Sequence, residues 1–310
     1  MNQSLGARQH HLRVEDLTVV PPRHVWLWIS TAVVLVLLAM VFWAVGTNKA
    51  YDWPAVGRYL FHPSILRGVV NTLMLTVTIM VLATIIGTII AIMRLSPSRI
   101  LRTFANAYIW FFRGAPALIQ LIFWFNISII MPQITLSLPG IGVIFSARTN
   151  DVMTPFLTAV VALALHEAGY MAEIIRAGIT SVPPGQTEAA ATLGMSRRKI
   201  LWRIVLPQAM RFIVPPTGNE AINLMKATSL VSVIAVDDLL YSAQTIYART
   251  FETIPLLSVV AIWYLVMVTI MSIGQHFLEL HFGRSDSRGD GGGFRAALRM
   301  ALNPMRGRRT

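Results

Sequence analysis

Long apolar stretches dominate the pattern of polar and hydrophobic positions along the chain. A helix that spans a bilayer needs about 20 predominantly apolar residues. Four stretches meet this requirement and contain at most one Asp, Glu, Lys or Arg each: 25–46, 68–93, 105–131 and 253–278. The pattern therefore predicts four transmembrane helices at these positions.

Two further stretches, 152–178 and 212–236, are apolar but also contain ionisable residues. Such residues are unfavourable in a membrane unless they face other helices or a water-filled path. We interpret both stretches as transmembrane, which predicts an all-α membrane protein with six spans. In the second span, Ala83, Gly87 and Ala91 repeat at four-residue spacing and predict a small-residue face for close helix contact.

The basic residues predict the orientation of these spans. The alternate segments 1–24, 94–104, 179–211 and 282–310, together with Arg176, contain 19 of the 26 Lys and Arg residues. The segments on the other side contain five. Because cytoplasmic loops carry an excess of Lys and Arg, the distribution predicts that both termini are cytoplasmic.

Composition agrees with a membrane protein, since 55% of the residues are hydrophobic and only 13% are charged, against about 25% charged in soluble domains. The absence of cysteine excludes disulfides, thiolate metal sites and cysteine nucleophiles. The net charge of +12 is scattered between apolar stretches. It therefore indicates topology and attraction to the lipid bilayer, and no nucleic acid partner is expected.

Two polar tails are predicted to flank the membrane-spanning part of the chain. We expect a cytoplasmic tail at 1–24 and a basic cytoplasmic tail at 282–310. The span 25–46 is longer than the 7–15 apolar residues of a signal peptide, so we interpret it as a retained transmembrane helix.

The stretch 182–207 carries the most informative pattern on the cytoplasmic side. A Pro-Pro-Gly sequence at 183–185 turns the chain. A short helix is predicted over 188–193, with Glu188 in its first turn, and Gly194 is well placed to end it in a left-handed conformation.

A second short helix is predicted after Gly194. Ser196 is a candidate N-cap for this helix, and Pro207 permits a sharp exit into the next span. A helix pair with small alanines fits a groove on a partner protein. An amphipathic hairpin that rests on lipid headgroups is an equally good interpretation of the physical pattern.

Seven positions of this stretch resemble a known signature. They follow the order Glu-Ala-Ala, three residues, Gly, nine residues, Ile, one residue and Leu-Pro, at Glu188, Ala189, Ala190, Gly194, Ile204, Leu206 and Pro207. This order resembles the cytoplasmic loop of the permease subunits of binding-protein-dependent ABC importers. The resemblance identifies these residues as the ATPase-coupling residues.

Three other stretches resemble the polar amino acid permease branch of that family. The first is 112–116, where Ala115 replaces the usual threonine of that branch. The second is 170–179, which leads into the stretch 182–207, the predicted coupling loop. The third is 222–234, where Ala227 replaces a common aspartate. The resemblance covers 64–281 and implies a five-helix permease core. The span 25–46 is then an extra N-terminal helix.

The resemblance also implies the partners and the location. It implies a second permease copy or paralogue, two ABC ATPase subunits docked on 182–207, an extracytoplasmic solute-binding protein and a polar amino acid substrate. It further implies a prokaryotic cytoplasmic (inner) membrane. This chain has no GxxxxGK[ST] phosphate loop, so we expect no catalytic residue, metal or cofactor in it, and ATP and Mg on the partner ATPase.

Four ionisable residues lie nearest the predicted membrane interior: Arg113, Glu167, Glu220 and Lys226. Two charges of each sign suit a zwitterionic solute. The hypothesis is that Arg113 or Lys226 receives an α-carboxylate, while Glu167 or Glu220 faces an amino group. The alternative is that these residues pair with each other or reach an interface.

Two other classes of function remain open from the residues. A secondary transporter of small polar solutes would need no ATPase partner, but such carriers typically contain internal repeats, and the sequence shows none. A polytopic membrane enzyme would need a convergent acid, base or metal set. The HEAGY sequence at 166–170 lacks the second histidine of a zinc protease site, because its last position is Tyr170.

Overall fold

The computed structural model describes residues 25–138, 140 and 142–283. The predicted tail 1–24 and all but the first two residues of the tail 282–310 lie outside the described residues. The chain divides into two compact units, one that ends at Tyr51 and one that begins at Asp52. The first contains helix α1 (Val25–Thr47) and a short 3₁₀ helix (Lys49–Tyr51).

The second unit is almost entirely helical. Its helices, in chain order, are α2 (Trp53–Leu60), α3 (Pro63–Leu95), α4 (Arg99–Gly114), α5 (Ala117–Phe125), α6 (Ile127–Ile130), α7 (Thr149–Val152), α8 (Pro155–Thr180), α9 (Pro184–Thr192), α10 (Arg197–Ile200), α11 (Leu206–Ala227), α12 (Leu239–Thr250) and α13 (Thr253–Gly283). A π-helical turn (Leu201–Val205) joins α10 to α11, and a 3₁₀ helix (Thr228–Ile234) follows α11.

Four helices among the described residues are long and apolar enough to cross a membrane: most of α1, α3, α8 and α13. A fifth span exists if α4 and α5, which meet at an angle of 99°, are counted together. The predicted span 105–131 therefore corresponds to a helix pair with a sharp bend and not to one continuous helix. Pro116 causes the break, because a proline forces the residue before it out of helical geometry, and Ala115 is extended (φ −86°, ψ 136°).

The predicted span 212–236 is not among the helices that meet the length and hydropathy requirement. This stretch consists of most of α11, with Pro215 and Pro216 inside it, and the following 3₁₀ helix. Its charged and proline residues lower the hydropathy of α11. The count of six spans is therefore not confirmed by helix length and composition.

A two-stranded antiparallel hairpin corrects the all-α prediction. Strands β1 (Gln133–Leu138) and β2 (Gly142–Arg148) pair with a register shift between Leu136 and Ser137. Its turn contains Gly140 at φ 86°, and β2 begins with Gly142 at φ 93°, conformations that glycine adopts without strain. The alternation of this segment is short and follows a long apolar stretch, which conceals it in the sequence.

The packing of α3 against α8 forms the centre of the second unit. Ala83 and Ala91 of α3 are completely buried. A Cβ atom at Gly87 would lie 2.6 Å from Met171 Cβ and 3.0 Å from the carbonyl oxygen of Ala168. The predicted small-residue face of α3 is thus confirmed, and it lets α8 approach closely.

We expect Gly87→Val to destabilise the protein by about 1–3 kcal/mol, because the added atoms would overlap the α8 backbone. Thermal unfolding of the purified protein in detergent measures this effect as a lower Tm. Gly274→Val is the matched control, since a Cβ at Gly274 meets no atom within 4 Å. Equal Tm values for the two variants would contradict close α3–α8 packing.

Candidate coupling loop and translocation path

The candidate coupling loop, residues 182–207, begins just after α8, which ends at Thr180. The first helix of the loop, α9, starts at Pro184 rather than at 188 as predicted. Proline is favoured at the first helical position because its missing N–H has no intrahelical partner there. Glu188 therefore lies in the middle of α9 and not in its first turn, which corrects the predicted position.

Gly194 ends α9 in the predicted left-handed conformation, with φ 75°. The Gly194 N–H donates to the Ala191 carbonyl (2.9 Å), and the Met195 N–H donates to the Ala190 carbonyl (3.1 Å). These two bonds form a Schellman motif, which satisfies the last carbonyls of the helix. A Cβ at Gly194 would meet no atom within 4 Å, so the glycine is required by its φ angle and not by space within this subunit.

The second helix of the loop does not turn sharply at Pro207. Ser196 occupies the predicted N-cap position, although its side chain makes no capping hydrogen bond. From Arg197 the helix continues through the π-helical turn into α11. A π-helical turn widens the helix, because its backbone hydrogen bonds join residues five apart. The wider turn accommodates Pro207, which has no N–H to donate. The predicted sharp exit at Pro207 is therefore wrong.

Burial divides the seven signature residues into two groups. Ala190 is 3% exposed and packs inward. Ile204 and Leu206 are half-buried, and the adjacent Val205 belongs to an apolar cluster with Val182. The remaining four are exposed on the surface of the loop: Glu188, Ala189, Gly194 and Pro207. The first group holds the loop against its own subunit, and the second is free for contact with a partner.

Arg113 lies in the last turn of α4 and extends towards α8. Its Nη1 atom is 3.7 Å from Glu173 Oε1, and its guanidinium lies 4.9 Å from the centre of the Tyr170 ring. Gly169 leaves room for this side chain, because a Cβ there would lie 3.1 Å from Arg113 Cγ. Arg113 is therefore paired with a carboxylate outside the four predicted path residues.

Glu173 is the centre of an ion-pair cluster that joins α3, α4 and α8. Besides Arg113, it binds Arg94 of α3 and Arg176 of α8, the latter at 3.0 Å. Glu173 is not among the residues that the sequence singles out as a site. The spacing of Glu173 and Arg176 by three residues on one helix is a signal for such a pair, but the contribution of α3 and α4 depends on the tertiary fold.

Glu167 and Glu220 come together between α8 and α11. Glu167 is 5% exposed, and its Oε1 atom has no hydrogen-bond partner among the described residues. The half-buried Glu220 of α11 lies close enough for its charge to act on this carboxyl. No basic side chain of the described residues forms an ion pair with either carboxyl. Two carboxyls that share one site repel each other when both are charged, and a cation between them removes that repulsion.

Lys226 lies in the last turn of α11 with an exposed side chain. Among the described residues, it forms no ion pair with a carboxylate. The structure thus brings Glu167 and Glu220 together and pairs Arg113 with Glu173, while Lys226 forms no ion pair with the described carboxylates.

Gln120 stabilises the break between α4 and α5. Its Nε2 atom donates to the carbonyls of Phe112 and Ala115, each at 2.9 Å, and lies 3.1 Å from His166 Nδ1. Because Gln120 is 4% exposed, these bonds replace those that the helix loses at Pro116. The bend is therefore a specific structure next to the Glu167 site.

Comparisons with known proteins agree with this architecture. The family described as "Binding-protein-dependent transport system inner membrane component" matches residues 83–283. The arginine transport system permease protein ArgU of Corynebacterium glutamicum is 39% identical, over 93% of this chain and 89% of the relative. The L-cystine transport system permease protein TcyB of Bacillus subtilis is 36% identical, over 78% and 95%.

A solved structure described as an amino acid ABC transporter with histidines is also similar. It is 32% identical, has a TM-score of 0.61, and the match covers 71% of this chain and 95% of that one. These similarities do not favour the secondary transporter alternative. The chain is an integral membrane protein that belongs to the family of inner membrane components of binding-protein-dependent transport systems, within the amino acid ABC permeases.

Proposed function

We propose that this subunit forms a translocation path for a polar amino acid and couples that path to separate ATPase subunits. The observation that carries the proposal is the coupling loop. Helix α9 ends in a Schellman motif at Gly194, and it exposes Glu188, Ala189 and Gly194 on the surface. A small-residue helix with a single carboxylate suits a groove on a partner, which is the role that the signature implies.

The continuous helix from α10 to α11 supports a mechanical link between the loop and the path. It runs from Arg197 to Ala227 without a break in helical geometry. Glu220 lies 23 residues after Arg197, a distance of roughly 35 Å at 1.5 Å per residue. A displacement of the loop by an ATPase subunit is therefore transmitted directly to the Glu220 side of the path.

We further propose six membrane crossings with both termini in the cytoplasm of a bacterial cell. In this arrangement α4 with α5 forms one crossing, α11 with the following 3₁₀ helix forms another, and the whole subunit lies in the inner membrane. The excess of Lys and Arg on the side of the coupling loop supports the orientation. The working assembly then contains two ATPase subunits that bind ATP and Mg, a second permease copy or paralogue, and an extracytoplasmic solute-binding protein.

For the substrate we propose a cationic amino acid. The arginine transport relative matches 93% of this chain, and Glu167 and Glu220 form a pair of carboxyls with no basic partner among the described residues. A guanidinium or ammonium group between these carboxyls offsets their repulsion. Because Arg113 is paired with Glu173, we assign the α-carboxylate to Lys226, which forms no ion pair within the part of the chain that the structure describes.

A tagged pull-down from native membranes in mild detergent tests the function. We expect mass spectrometry to find a soluble ATPase with a phosphate loop in the eluate. A second permease in the same eluate would establish a heterodimer. Recovery of this chain alone, in a preparation that still transports amino acids after reconstitution, would overturn the proposal in favour of a secondary carrier.

A further inference from the structure

A cavity of about 330 Å³ lies at the end of α8 that is opposite the coupling loop. Its walls come from α3, from the first residues of α8 and from the segment between α11 and α12. Most of the wall is apolar, with Met74 on one side and Phe156 on another. Among the described residues that line it, Asp237 is the only ionisable one. This cavity, the outer pocket, is large enough for one amino acid.

Two hydrogen bonds orient the Asp237 carboxylate. Ser242 Oγ donates to its Oδ1 atom at 2.9 Å. Asn71 Nδ2 donates to the Asp237 backbone carbonyl at 2.8 Å and lies 3.4 Å from Oδ2. No basic side chain of the described residues forms an ion pair with it. The pocket thus presents an oriented carboxylate without a counter-charge from the described residues.

The adjacent aspartate has a different role. Asp238 is fully buried, and its Oδ1 atom accepts the Tyr241 N–H at 2.8 Å, which caps α12. Burial raises the pKa of this carboxyl to about 6. Asp237 is therefore the residue of this pair that is exposed to the pocket.

The backbone of the pocket wall is strained. Ala235 adopts a left-handed conformation with φ 58°, which is unfavourable for a residue with a Cβ. Such conformations persist where the surrounding structure imposes them, and they are concentrated at binding and switching sites. In this segment the conformation ends the 3₁₀ helix, where the Ala235 N–H donates to the Ser232 carbonyl and the Val236 N–H to the Val231 carbonyl.

The outer pocket and the Glu167–Glu220 pair lie along the same helix. Phe156 lines the pocket, and Glu167 follows 11 residues later on α8, roughly 16 Å further along the helix. Both places carry carboxylates without a basic partner among the described residues. The next carboxylate on α8, Glu173, is bound by three arginines. On α8, Glu167 is thus the carboxyl without a basic partner among the described residues, and it lies between the outer pocket and Glu173.

We propose that the outer pocket is a receiving site for a cationic amino acid, which is held with its positive group on Asp237 before it moves to Glu167 and Glu220. The apolar wall formed by Met74 and Phe156 contacts the aliphatic part of the substrate. This inference rests on the proposed function, because it takes the same substrate class and the same path.

Because the chain contains no cysteine, a single cysteine reports directly on the pocket. Met74 lines it and is 55% exposed, so we expect Met74→Cys to react with a maleimide in the assembled complex. We expect L-arginine to slow the labelling of this cysteine. We expect Asp237→Asn in the same background to raise the protecting concentration about tenfold, the factor that corresponds to ~1.4 kcal/mol of binding energy.

Ser242→Ala is the matched control. It removes the hydrogen bond to Asp237 Oδ1 but keeps the charge, so protection by L-arginine should change less than twofold. Absence of protection by L-arginine would overturn the site. Equal loss of protection in Asp237→Asn and Ser242→Ala would overturn the charge role of Asp237 and leave it a structural residue.

Uptake by the reconstituted complex separates this proposal from the proposed function. With receptor and ATPase present, Asp237→Asn should raise the KM for L-arginine about tenfold and leave the maximal rate within twofold of the original. Protection of the cysteine without any ATP-driven uptake would refute the importer function and retain the site. Uptake with an unchanged KM in Asp237→Asn would retain the function and refute the site.

Discussion

Gly194→Asp is expected to abolish productive coupling while the protein still inserts and folds. The variant adds a negative side chain at a position where a Cβ meets no atom of this subunit within 4 Å. Aspartate is among the residues that tolerate the left-handed conformation, so the loss of folding free energy is about 1 kcal/mol. The new charge projects instead from the surface that we assign to the ATPase. Loss of a central docking contact costs at least about 2 kcal/mol, and we expect ATP-driven uptake to fall about 30-fold or more.

The matched control is Gly185→Asp in the first turn of the same helix. A Cβ at Gly185 also meets no atom within 4 Å, and a carboxylate near a helix N-terminus is favourable. We therefore expect this control to insert, to retain the ATPase and to transport. Membrane abundance, co-purified ATPase and uptake are the three measurements. Normal substrate-stimulated ATPase activity and uptake in Gly194→Asp would refute the role of α9 as the coupling element.

The long apolar helices could be predicted from the sequence with nearly correct ends. The predicted span 25–46 corresponds to α1, and the predicted span 253–278 lies within α13. Uniform hydropathy over more than 20 residues depends only on local composition, so no tertiary contact can obscure it. The left-handed conformation of Gly194 could also be predicted from the sequence, because a left-handed helix end requires glycine or a few other residues wherever it occurs.

The errors arise where one residue changes the backbone within an apolar stretch. The residues on both sides of Pro116 are predominantly apolar, so the pattern extends a single span through the 99° bend. At Pro207 the opposite error occurs, since the predicted exit ignores a π-helical turn that accommodates the proline. Both outcomes depend on how neighbouring groups satisfy the freed backbone carbonyls, as Gln120 does at the bend, and a hydropathy pattern does not contain that information.

The partners of the intramembrane charged residues could not be predicted from the sequence either. Composition identifies Arg113, Glu167 and Glu220 as unusual, but it does not assign their partners. In the fold, Arg113 forms an ion pair with Glu173, which lies 60 residues away along the chain. The fold also brings Glu167 of α8 and Glu220 of α11 together. Opposite charges that are available in a span therefore need not pair with each other, and the unpaired carboxyls become the better candidates for contact with a cationic substrate.

That assignment leads to the second large effect, which concerns Glu167→Gln and Glu220→Gln. Removal of one partner from a buried charge contact costs about 2–5 kcal/mol, so each variant should lower uptake of L-arginine by about 30-fold or more. The double variant should fall far short of the product of the two losses, because both carboxyls act on the same cation. Asp151→Asn is the control, since Asp151 pairs with Arg148 on an exposed surface and its loss should leave uptake unchanged.

The double-variant comparison distinguishes substrate contact from a structural role of the glutamates. If Glu167 and Glu220 only stabilised α8 against α11, the variants would lose membrane abundance and Tm in proportion to uptake. Contact with a cation predicts normal abundance, a strong coupling between the two substitutions and a loss that is specific to cationic amino acids. Arg113→Gln adds an independent test, because its ion pair with Glu173 lies outside the carboxyl pair. Unchanged uptake of L-arginine in both Glu167→Gln and Arg113→Gln would exclude these intramembrane charges from the path.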